Sequence, residues 1–513
     1  MLNRMLMLLL IPSTCLFAND LITTAIRSLI ESFSDDEDEQ EELIVPTNHT
    51  IDLPSGPFNY TAIAGILPQY AKKKKVGELF FTAYLKDQEE DEEDLNRPLT
   101  FIFNGGPGGS SLSMHIGGLG PRRLLLPEEG QKNLPPYQMI DNPETLLEES
   151  DLVFIDPMGT GYSSANKDWF EKYCYSVEGD INSFAEFIRV FCGHFDKWNN
   201  PKYLLGASYG TSRACGLAER LSWGGITLNG IILMSCSIDL TTLIGQRDNA
   251  LSDCLLIPSL AATAWYHDRF MQGKTLKEVV EFARRFMNEQ YAPLMFQPSR
   301  LSGAELNTYY QNFANLIGLP FDTIRRYGSR IDEMTYVTEF MASERKTIGG
   351  MDSRYIGDIS TIGREFHEDP SYRDLGPAFY PSYMNYLQND LNIRIRSVVY
   401  QDFSVEASHF WNWTTYDSPG IPNFLQRLRR TLISNPNLNV FIGSGYYDLR
   451  TPFGAMEYSI DHLDLPAKYR ENFQMEYYEA GHGFIFDRNC LLKFKKDMKQ
   501  FYDKGHNKSA DES

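Results

Sequence analysis

Ser208 has a glycine two residues to either side, at positions 206 and 210, and this spacing is typical of a serine nucleophile. An apolar run, 203–205, precedes it, and a helix-like stretch, 211–221, follows it. A sharp strand-to-helix turn of this kind exposes a serine oxygen above a sheet, and its glycines avoid clashes with the neighbouring elements. The positive end of the helix dipole would lie behind that oxygen. We therefore interpret Ser208 as a candidate nucleophile.

A serine hydroxyl needs a base to take its proton and a carboxylate to orient that base. The apolar run 440–442 leads into a turn that contains Asp448, and the run 473–478 leads into a turn that contains His482. Catalytic groups of open α/β sheets gather at the carboxyl ends of strands, where both residues would lie. The chain order Ser208, Asp448, His482 is that of α/β hydrolases, so these three residues are predicted to form a catalytic triad.

Such chemistry also needs N–H donors for the oxygen that becomes negatively charged. The backbone N–H of Tyr209, directly after the nucleophile, should be one donor. The second should come from the glycine-rich loop 104–111, N-G-G-P-G-G-S-S, which follows the predicted strand 99–103. This loop lacks the lysine and hydroxyl ending of a phosphate-binding loop. It is therefore predicted to be a substrate loop.

The elements that must position these residues alternate between strands and helices. The segments 83–85, 99–103 and 152–155 read as strands, whereas 183–195 has apolar residues at helical spacing. Strand patterns become rare between 238 and 437 and return at 439–442 and 473–478. We predict an α/β-hydrolase fold with a mostly parallel central sheet, helices on both faces and a large, mainly helical cap insertion.

The predicted organisation comprises a signal peptide (1–18), an acidic, disordered segment (19–50), the first part of the core (51–237), the cap (238–437), the second part of the core (438–505) and a tail (506–513).

Composition and the amino terminus limit the classes of function. Of the 513 residues 42% are apolar, and the net charge of −20 argues against a nucleic-acid-binding surface. Arg4, a short apolar run at 5–11 and small residues up to Ala18 indicate a leader peptide and an exported protein. That run is too short to span a bilayer, so stable membrane insertion is not expected. The sequence leaves the oligomeric state open.

The cysteines do not indicate a metal site. Besides Cys15 the chain has six: Cys174, Cys192, Cys215, Cys236, Cys254 and Cys490. Their spacing fits no metal-ligand motif, and we expect neither a metal nor a cofactor. Six cysteines in an exported protein permit up to three disulfides, but Cys215 and Cys236 lie in predicted core elements. We therefore expect at most one or two disulfides.

The glycine loop, residues 156–163 (D-P-M-G-T-G-Y-S), the serine turn and the turns of Asp448 and His482 together resemble the serine carboxypeptidase family, in its bacterial form. The resemblance extends from about Phe58 to Phe501. It implies removal of C-terminal residues from peptides, usually at acidic pH, and an oxyanion hole from Gly106 and Tyr209.

One departure from the family pattern bears on how the substrate would be recognised. Members generally have a glutamate before the nucleophile that, with the asparagine of the glycine loop, holds the substrate's terminal carboxylate. Here Asn104 is present, but the preceding residue is Ala207. The carboxylate contact would then fall to Asn104 and Ser110, with a basic residue of the cap as a further candidate, and we expect its recognition to be weakened.

Three functional readings follow from this departure. The first is a serine-type carboxypeptidase acting on peptides through an acyl-enzyme on Ser208. The second is an esterase, amidase or acyltransferase with a small ester or amide substrate on the same scaffold. The third is an inactive binding protein, which would need no intact triad.

Overall fold

The computed structural model describes residues 43–71, 74–87, 94–127, 133–166, 174–245, 249–297, 299–359, 369–418 and 420–510. The predicted signal peptide, the cleavage point after Ala18 and Cys15 lie outside these ranges. None of the helices in these ranges is long and apolar enough to cross a membrane.

A ten-stranded sheet forms the centre of the molecule. Its strands are β1 (Ile44–Leu53), β2 (Gly56–Ala71), β3 (Lys74–Lys86), β4 (Leu99–Phe103), β7 (Asp151–Ile155), β8 (Ser164–Ala165), β9 (Lys202–Ala207), β10 (Gly230–Met234), β13 (Asn439–Gly445) and β14 (Phe473–Tyr478). They lie in the order β1-β2-β3-β7-β4-β9-β10-β13-β14, with β8 paired to β3. Two small hairpins pair β5 (Arg122–Leu124) with β6 (Met139–Asp141) and β11 (Lys346–Ile348) with β12 (Ile356–Asp358).

The type of strand pairing changes once across this sheet, from antiparallel to parallel. The strands β1, β2, β3 and β7 pair antiparallel, whereas β7, β4, β9, β10, β13 and β14 run parallel to their neighbours. Strands β4, β7, β9, β10 and β13 are buried over their whole length, which explains their continuous apolar sequences. The carboxyl ends of the parallel strands therefore share one edge of the sheet.

Fourteen α-helices are present in the described ranges: α1 (Leu112–Met114), α2 (Val177–His194), α3 (Tyr209–Trp223), α4 (Ala250–Tyr266), α5 (Leu276–Phe286), α6 (Ala292–Phe296), α7 (Gly303–Ile317), α8 (Phe321–Tyr327), α9 (Glu333–Glu339), α10 (Pro370–Asn389), α11 (Val405–Phe410), α12 (Leu425–Ser434), α13 (Phe453–Asp461) and α14 (Arg488–Ala510). Short 3-10 or π turns lie at His115–Leu119, Leu146–Glu148, Leu240–Thr242, Met287–Tyr291, Ala342–Glu344, Ala467–Asn472 and Phe484–Phe486.

Two apolar layers enclose the sheet. Phe184 and Phe187 of α2 and Leu217 of α3 belong to the layer on one face. On the other face, Phe494 and Phe501 of α14 pack with Phe441 of β13. The expected α/β-hydrolase arrangement, a mainly parallel sheet covered by helices on both faces, is thus confirmed.

The cap insertion is mainly helical and has a third apolar cluster of its own, built from α4, α5, α7, α8 and α9. Two of its helices also cover the sheet. Tyr383 and Tyr386 of α10 pack beside Tyr84 and Phe154, and Leu428 of α12 joins the layer formed by α2 and α3. The segment 238–437 therefore contains part of the core's helical covering as well as the cap.

Two predicted boundaries differ from the structure. The prediction that 19–50 is disordered is wrong for its last residues, because β1 begins at Ile44 and pairs along its length with β2. Alternation of half-buried and exposed residues in β1 provides the physical reason. At the carboxyl end, α14 continues to Ala510, so the predicted tail 506–513 is helical up to that residue.

Disulfides are not found in the described part of the chain. Cys192, Cys215, Cys236, Cys254 and Cys490 are free and buried, and Cys174 is buried as well. Burial raises the pKa of the Cys174 thiol to about 12, which keeps it in its neutral form. These cysteines therefore pack as small apolar residues rather than cross-linking the chain.

Candidate active site

Ser208 lies in a strained turn between β9, which ends at Ala207, and α3, which begins at Tyr209. Its φ of 56° falls in the left-handed region that non-glycine residues rarely adopt. The turn is fixed because the Ser208 N–H donates to the carbonyl of Met234 at 2.9 Å. A Cβ added at Gly206 would lie 2.2 Å from the carbonyl oxygen of Gly210, so this close approach requires glycine. Backbone strain at Ser208 and close packing at Gly206 are both features expected of a nucleophile turn.

Asp448 and His482 are brought together although 34 residues separate them in sequence. They follow β13 and β14, which are parallel neighbours. The Nδ1–H of His482 donates to Oδ2 of Asp448 at 2.7 Å. The carboxylate of Asp448 is fully buried, whereas the His482 side chain is 11% exposed. This geometry fixes the tautomer of the imidazole and leaves Nε2 available to a substrate-side group.

Three further donors hold the Asp448 carboxylate. The backbone N–H groups of Arg450 and Thr451 each donate to Oδ1 at 2.9 Å. The Thr451 hydroxyl donates to Oδ2 at 2.5 Å and lies 3.1 Å from Nδ1 of His482. Sequence analysis did not identify Thr451, although a hydroxyl three residues after a buried aspartate was a usable signal.

The Ser208 and His482 turns are joined through the end of β10. Ser235, which follows the Met234 acceptor of the Ser208 N–H, donates its hydroxyl to the His482 carbonyl at 2.6 Å. Ser235 also has a positive φ of 51°. No sequence motif marked this residue. Its position between the two turns became visible only from the strand order β9-β10-β13-β14.

The glycine loop packs directly onto the serine turn. A Cβ added at Gly105 would lie 2.7 Å from the Tyr209 nitrogen and 2.8 Å from Cβ of Ser208. The neighbouring Gly106 has a φ of 113°, accessible mainly to glycine. Both predicted oxyanion donors, Gly106 and Tyr209, therefore belong to segments that touch each other beside Ser208.

Asn104 and Ser110, the predicted substrate-binding residues, lie in this loop but have partners within the protein. The side-chain amide of Asn104 donates to the Ser113 hydroxyl at 2.8 Å, and the backbone carbonyl of Asn104 accepts from Arg213 at 2.6 Å. The Ser110 hydroxyl donates to Asp402 of the cap at 2.7 Å. Asn104 is partly exposed, whereas Ser110 is 1% exposed. A substrate would therefore meet Asn104 more readily than Ser110.

A buried carboxyl lies beneath the loop. Asp156 is 1% exposed, and burial raises its pKa to about 6. Its Oδ1 accepts the backbone N–H and the hydroxyl of Ser111, and its Oδ2 accepts the hydroxyl of Tyr400 at 2.8 Å. A Cβ at Gly161 would lie 1.8 Å from Oδ2, so the turn closes tightly over this carboxyl. Asp156 thus anchors the glycine loop to the 156–163 turn.

The cap residues next to this carboxyl pair with both loops. Gln401 exchanges backbone hydrogen bonds with Gly161 at 2.7 and 2.9 Å, and the Ser110 N–H donates to the Asp402 carbonyl at 2.8 Å. Burial raises the pKa of the Asp402 carboxyl. Sequence analysis did not identify Asp402, because no local pattern shows that a residue almost 300 positions away in the chain binds Ser110.

Trp411 and Trp413 are buried at 3% exposure and pack edge-on against the ring of Tyr209. Tyr400 is also buried and bonded to Asp156. These aromatic residues support the site from inside. The described ranges contain no group of three or more histidine, cysteine or acidic side chains arranged to hold a metal ion.

Comparison with known proteins agrees with this geometry. A family model described as serine carboxypeptidase matches residues 54–494. The chain is 30% identical over 179 residues, 34% of its length, to the pheromone-processing carboxypeptidase kex1 of Schizosaccharomyces japonicus, and covers 29% of that protein. It is 28% identical over 141 residues to serine carboxypeptidase-like 20 of Arabidopsis thaliana, covering 26% of each chain. The matched segment therefore spans less than a third of either curated relative.

A similar solved structure is that of Kex1, a prohormone-processing carboxypeptidase from Saccharomyces cerevisiae. It superposes with a TM-score of 0.53 at 18% identity, over 84% of this chain and 89% of that one. At this identity the likeness establishes a shared fold.

Proposed function

Because this chain belongs to the serine carboxypeptidase family, we propose that it is a serine-type carboxypeptidase that releases C-terminal residues from peptides. The observation that carries the proposal is the 2.7 Å hydrogen bond between His482 and Asp448, on the sheet edge that also holds the strained Ser208. A general base held in one tautomer beside a nucleophile turn is the arrangement that activates a serine.

In the proposed reaction, Ser208 Oγ attacks the carbonyl carbon of the last peptide bond while Nε2 of His482 takes the hydroxyl proton. The Asp448 carboxylate stabilises the imidazolium that forms. The backbone N–H groups of Gly106 and Tyr209 bind the negative oxygen of the tetrahedral intermediate. His482 then gives its proton to the leaving amine, and the C-terminal residue departs. Water, activated by His482, hydrolyses the acyl-enzyme and restores Ser208.

The substrate's terminal carboxylate receives no hydrogen bond from position 207, because Ala207 carries no hydrogen-bonding side chain. We assign the carboxylate contact to Asn104, with Ser110 behind it, and expect recognition of the free acid to be weakened. Ala207 is 8% exposed and packs in the apolar layer that includes Tyr478 and Phe484. This substitution also favours a second candidate function, hydrolysis or transfer of small esters and amides.

A covalent fluorophosphonate probe tests whether the protein is an enzyme of this class. The unmodified protein should be labelled, and Ser208→Ala should lose both labelling and peptide hydrolysis, the latter by about 10⁴- to 10⁶-fold. Ser212→Ala, one turn further along α3, provides the control, because its hydroxyl donates to the carbonyl of Ser237 away from the turn. A folded protein that the probe never labels would indicate a binding protein instead.

Comparing a blocked dipeptide with its C-terminal amide separates the two enzymatic candidates. A carboxypeptidase should hydrolyse the free acid faster than the amide, and Ala207→Glu should increase that preference by adding a second contact to the carboxylate. Equal rates for both substrates in the unmodified protein, with efficient hydrolysis of a simple ester, would favour the second candidate.

We also propose that the protein is exported after cleavage following Ala18. The support is the leader pattern of residues 1–18, a charged start followed by a short apolar run and small residues. Amino-terminal sequencing of the protein from its native host should begin at Asn19. An intact Met1 on the active protein would refute cleavage at this site.

A further inference from the structure

A short loop of the cap lies against the two turns that carry Asp448 and His482. This loop, residues 349–354, joins β11 to β12 and is called the strap below. Its backbone bonds to the Asp448 turn on both sides of the aspartate. The Leu449 N–H donates to the Gly350 carbonyl at 3.0 Å, and the Ser353 N–H donates to the Tyr447 carbonyl at 3.0 Å.

The same strap bonds to the His482 turn. The His482 N–H donates to the Met351 carbonyl at 2.6 Å, and the Gly481 N–H donates to Oδ2 of Asp352 at 3.0 Å. A Cβ added at Gly481 would lie 2.3 Å from the Met351 oxygen, so the contact admits only glycine there. The backbone of His482 is thereby held from both sides, because its carbonyl accepts the Ser235 hydroxyl.

Asp369 holds the strap in this position. Its side chain is fully buried, and its Oδ2 accepts the N–H groups of Gly350 and Met351 at 2.9 and 3.0 Å. Its Oδ1 accepts the N–H and the hydroxyl of Ser371, so Asp369 also caps the start of α10. The Asp369 carboxylate therefore fixes Gly350 and Met351, the two strap residues whose carbonyl groups accept the N–H groups of Leu449 and His482.

A buried contact between Glu333 and Arg450 closes the other side of the strap. Nε of Arg450 lies 3.0 Å from Oε1 of Glu333, and both residues are buried. A Cβ added at Gly350 would lie 2.1 Å from this Oε1 and 3.1 Å from the Arg450 Nε. The strap thus fits between Asp369 and the Glu333–Arg450 pair, leaving it little freedom to shift.

The catalytic turns also contact each other directly, since the Tyr447 N–H donates to the Ala480 carbonyl at 3.0 Å. That bond joins the turns at their start. The strap contacts lie further along, at Leu449 and at His482 itself. Orientation of the imidazole therefore depends on the cap as well as on the sheet.

We propose that Asp369 is a positioning residue for hydrolysis at Ser208, acting through the strap to set the orientation of His482 against Asp448. This inference rests on the proposed function for its catalytic readout. Displacing a catalytic group by about 1 Å can cost about 100-fold in rate. Loosening the strap should therefore reduce catalysis far more than it reduces substrate binding.

Asp369→Asn tests this role with little change in size. The change replaces one oxygen of the Asp369 carboxylate by an amide nitrogen, which donates rather than accepts. Either the Gly350 and Met351 N–H groups or the Ser371 N–H and hydroxyl therefore lose their acceptor. We expect kcat on the blocked dipeptide to fall about 10- to 100-fold with KM changed less than about threefold. Asp239→Asn is the matched control, since Asp239 is a buried aspartate that likewise caps a helical segment by accepting the N–H and hydroxyl of the residue two positions on.

A spectroscopic readout separates positioning from general destabilisation. In the proton NMR spectrum, the proton between His482 Nδ1 and Asp448 should give a low-field resonance. The resonance can be assigned because it should be lost in Asp448→Asn. It should shift or broaden in Asp369→Asn and stay unchanged in Asp239→Asn. Should Asp369→Asn fail to accumulate as folded protein, Asp352→Ala, which removes the acceptor of the Gly481 N–H, provides the same comparison.

An unchanged resonance, with kcat within twofold of the control variant, would overturn the positioning role. The resonance and fluorophosphonate labelling do not depend on which substrate the site accepts. A protein that is labelled but does not hydrolyse peptides would therefore contradict the proposed function while leaving the strap testable through its labelling rate.

Discussion

Asp156 accepts two hydrogen bonds from Ser111 through a single carboxylate oxygen, at 2.8 Å from the backbone N–H and 2.7 Å from the hydroxyl. This relationship connects the glycine loop to a second loop that sequence analysis had noted only as part of a family pattern. Because the carboxyl is buried, its protonation should be coupled to the stability of the protein.

The free energy of unfolding should fall as pH rises from about 4 to 6. Burial raises the pKa of Asp156 from 3.8 to about 6, so over this range the folded protein holds a proton that the unfolded chain has released. The stabilising contribution is complete below the unfolded pKa and is lost as pH rises through the folded one. A shift of two pKa units corresponds to about 3 kcal/mol.

Denaturant unfolding of Asp156→Asn across this pH range measures the contribution. The variant should show a smaller decrease in unfolding free energy than the unmodified protein. Asp141→Asn changes an exposed carboxyl and should leave the slope as it was. A slope that Asp156→Asn does not alter would mean that other buried carboxyls, such as Glu333 with its pKa raised by burial to about 8, dominate the dependence.

Gly105→Ala should disturb the alignment of the two predicted oxyanion donors, the N–H groups of Gly106 and Tyr209. The added Cβ would meet the Tyr209 nitrogen at 2.7 Å, so the glycine loop must move away from the serine turn. Loss of an aligned donor is expected to lower kcat about 100- to 1000-fold. Steady-state kinetics would show this beside Gly303→Ala, where an added Cβ has nothing within 4 Å. Equal kcat values in the two variants would exclude this loop from the oxyanion site.

Asp448→Asn should lower kcat about 10⁴-fold, because an amide cannot stabilise the imidazolium and can favour the wrong tautomer.

Thr451→Val removes the hydroxyl that donates to Asp448 and should lower kcat about 10-fold. Thr308→Val, which removes an exposed hydroxyl in α7, is the control for the second change. Thr451→Val with unimpaired kcat would show that the two backbone donors suffice to hold the carboxylate.

Asp402→Asn should increase hydrolysis of the free acid at pH 7 while leaving the amide unaffected. An ionised Asp402, one hydrogen bond from Ser110, would repel a substrate carboxylate held at the glycine loop. An effect of about 1 kcal/mol corresponds to about fivefold in kcat/KM. Measuring kcat/KM for the dipeptide and its amide provides an internal control. A parallel change for both substrates would place the Asp402 effect on the catalytic step rather than on the carboxylate.

The chain by itself determined the fold class and the candidate triad. Local patterns were sufficient for Ser208, since a glycine-flanked turn between a strand and a helix is encoded in adjacent residues. Asp448 and His482 were found for a related reason: each lies in the turn after a predicted strand, and parallel strands bring their carboxyl ends to one edge. The structure joins these two residues by a hydrogen bond.

Only the tertiary structure decided what holds that site in place. The donors and acceptors around it come from distant segments, with Ser235 bonded to His482, Met351 to the same residue, and Asp402 to Ser110. No spacing in the sequence records such contacts, because they depend on strand order and on how the cap folds back over the sheet. The environment of Cys192, Cys215, Cys236, Cys254 and Cys490 has the same origin, since the packing of the core decides which thiols are buried.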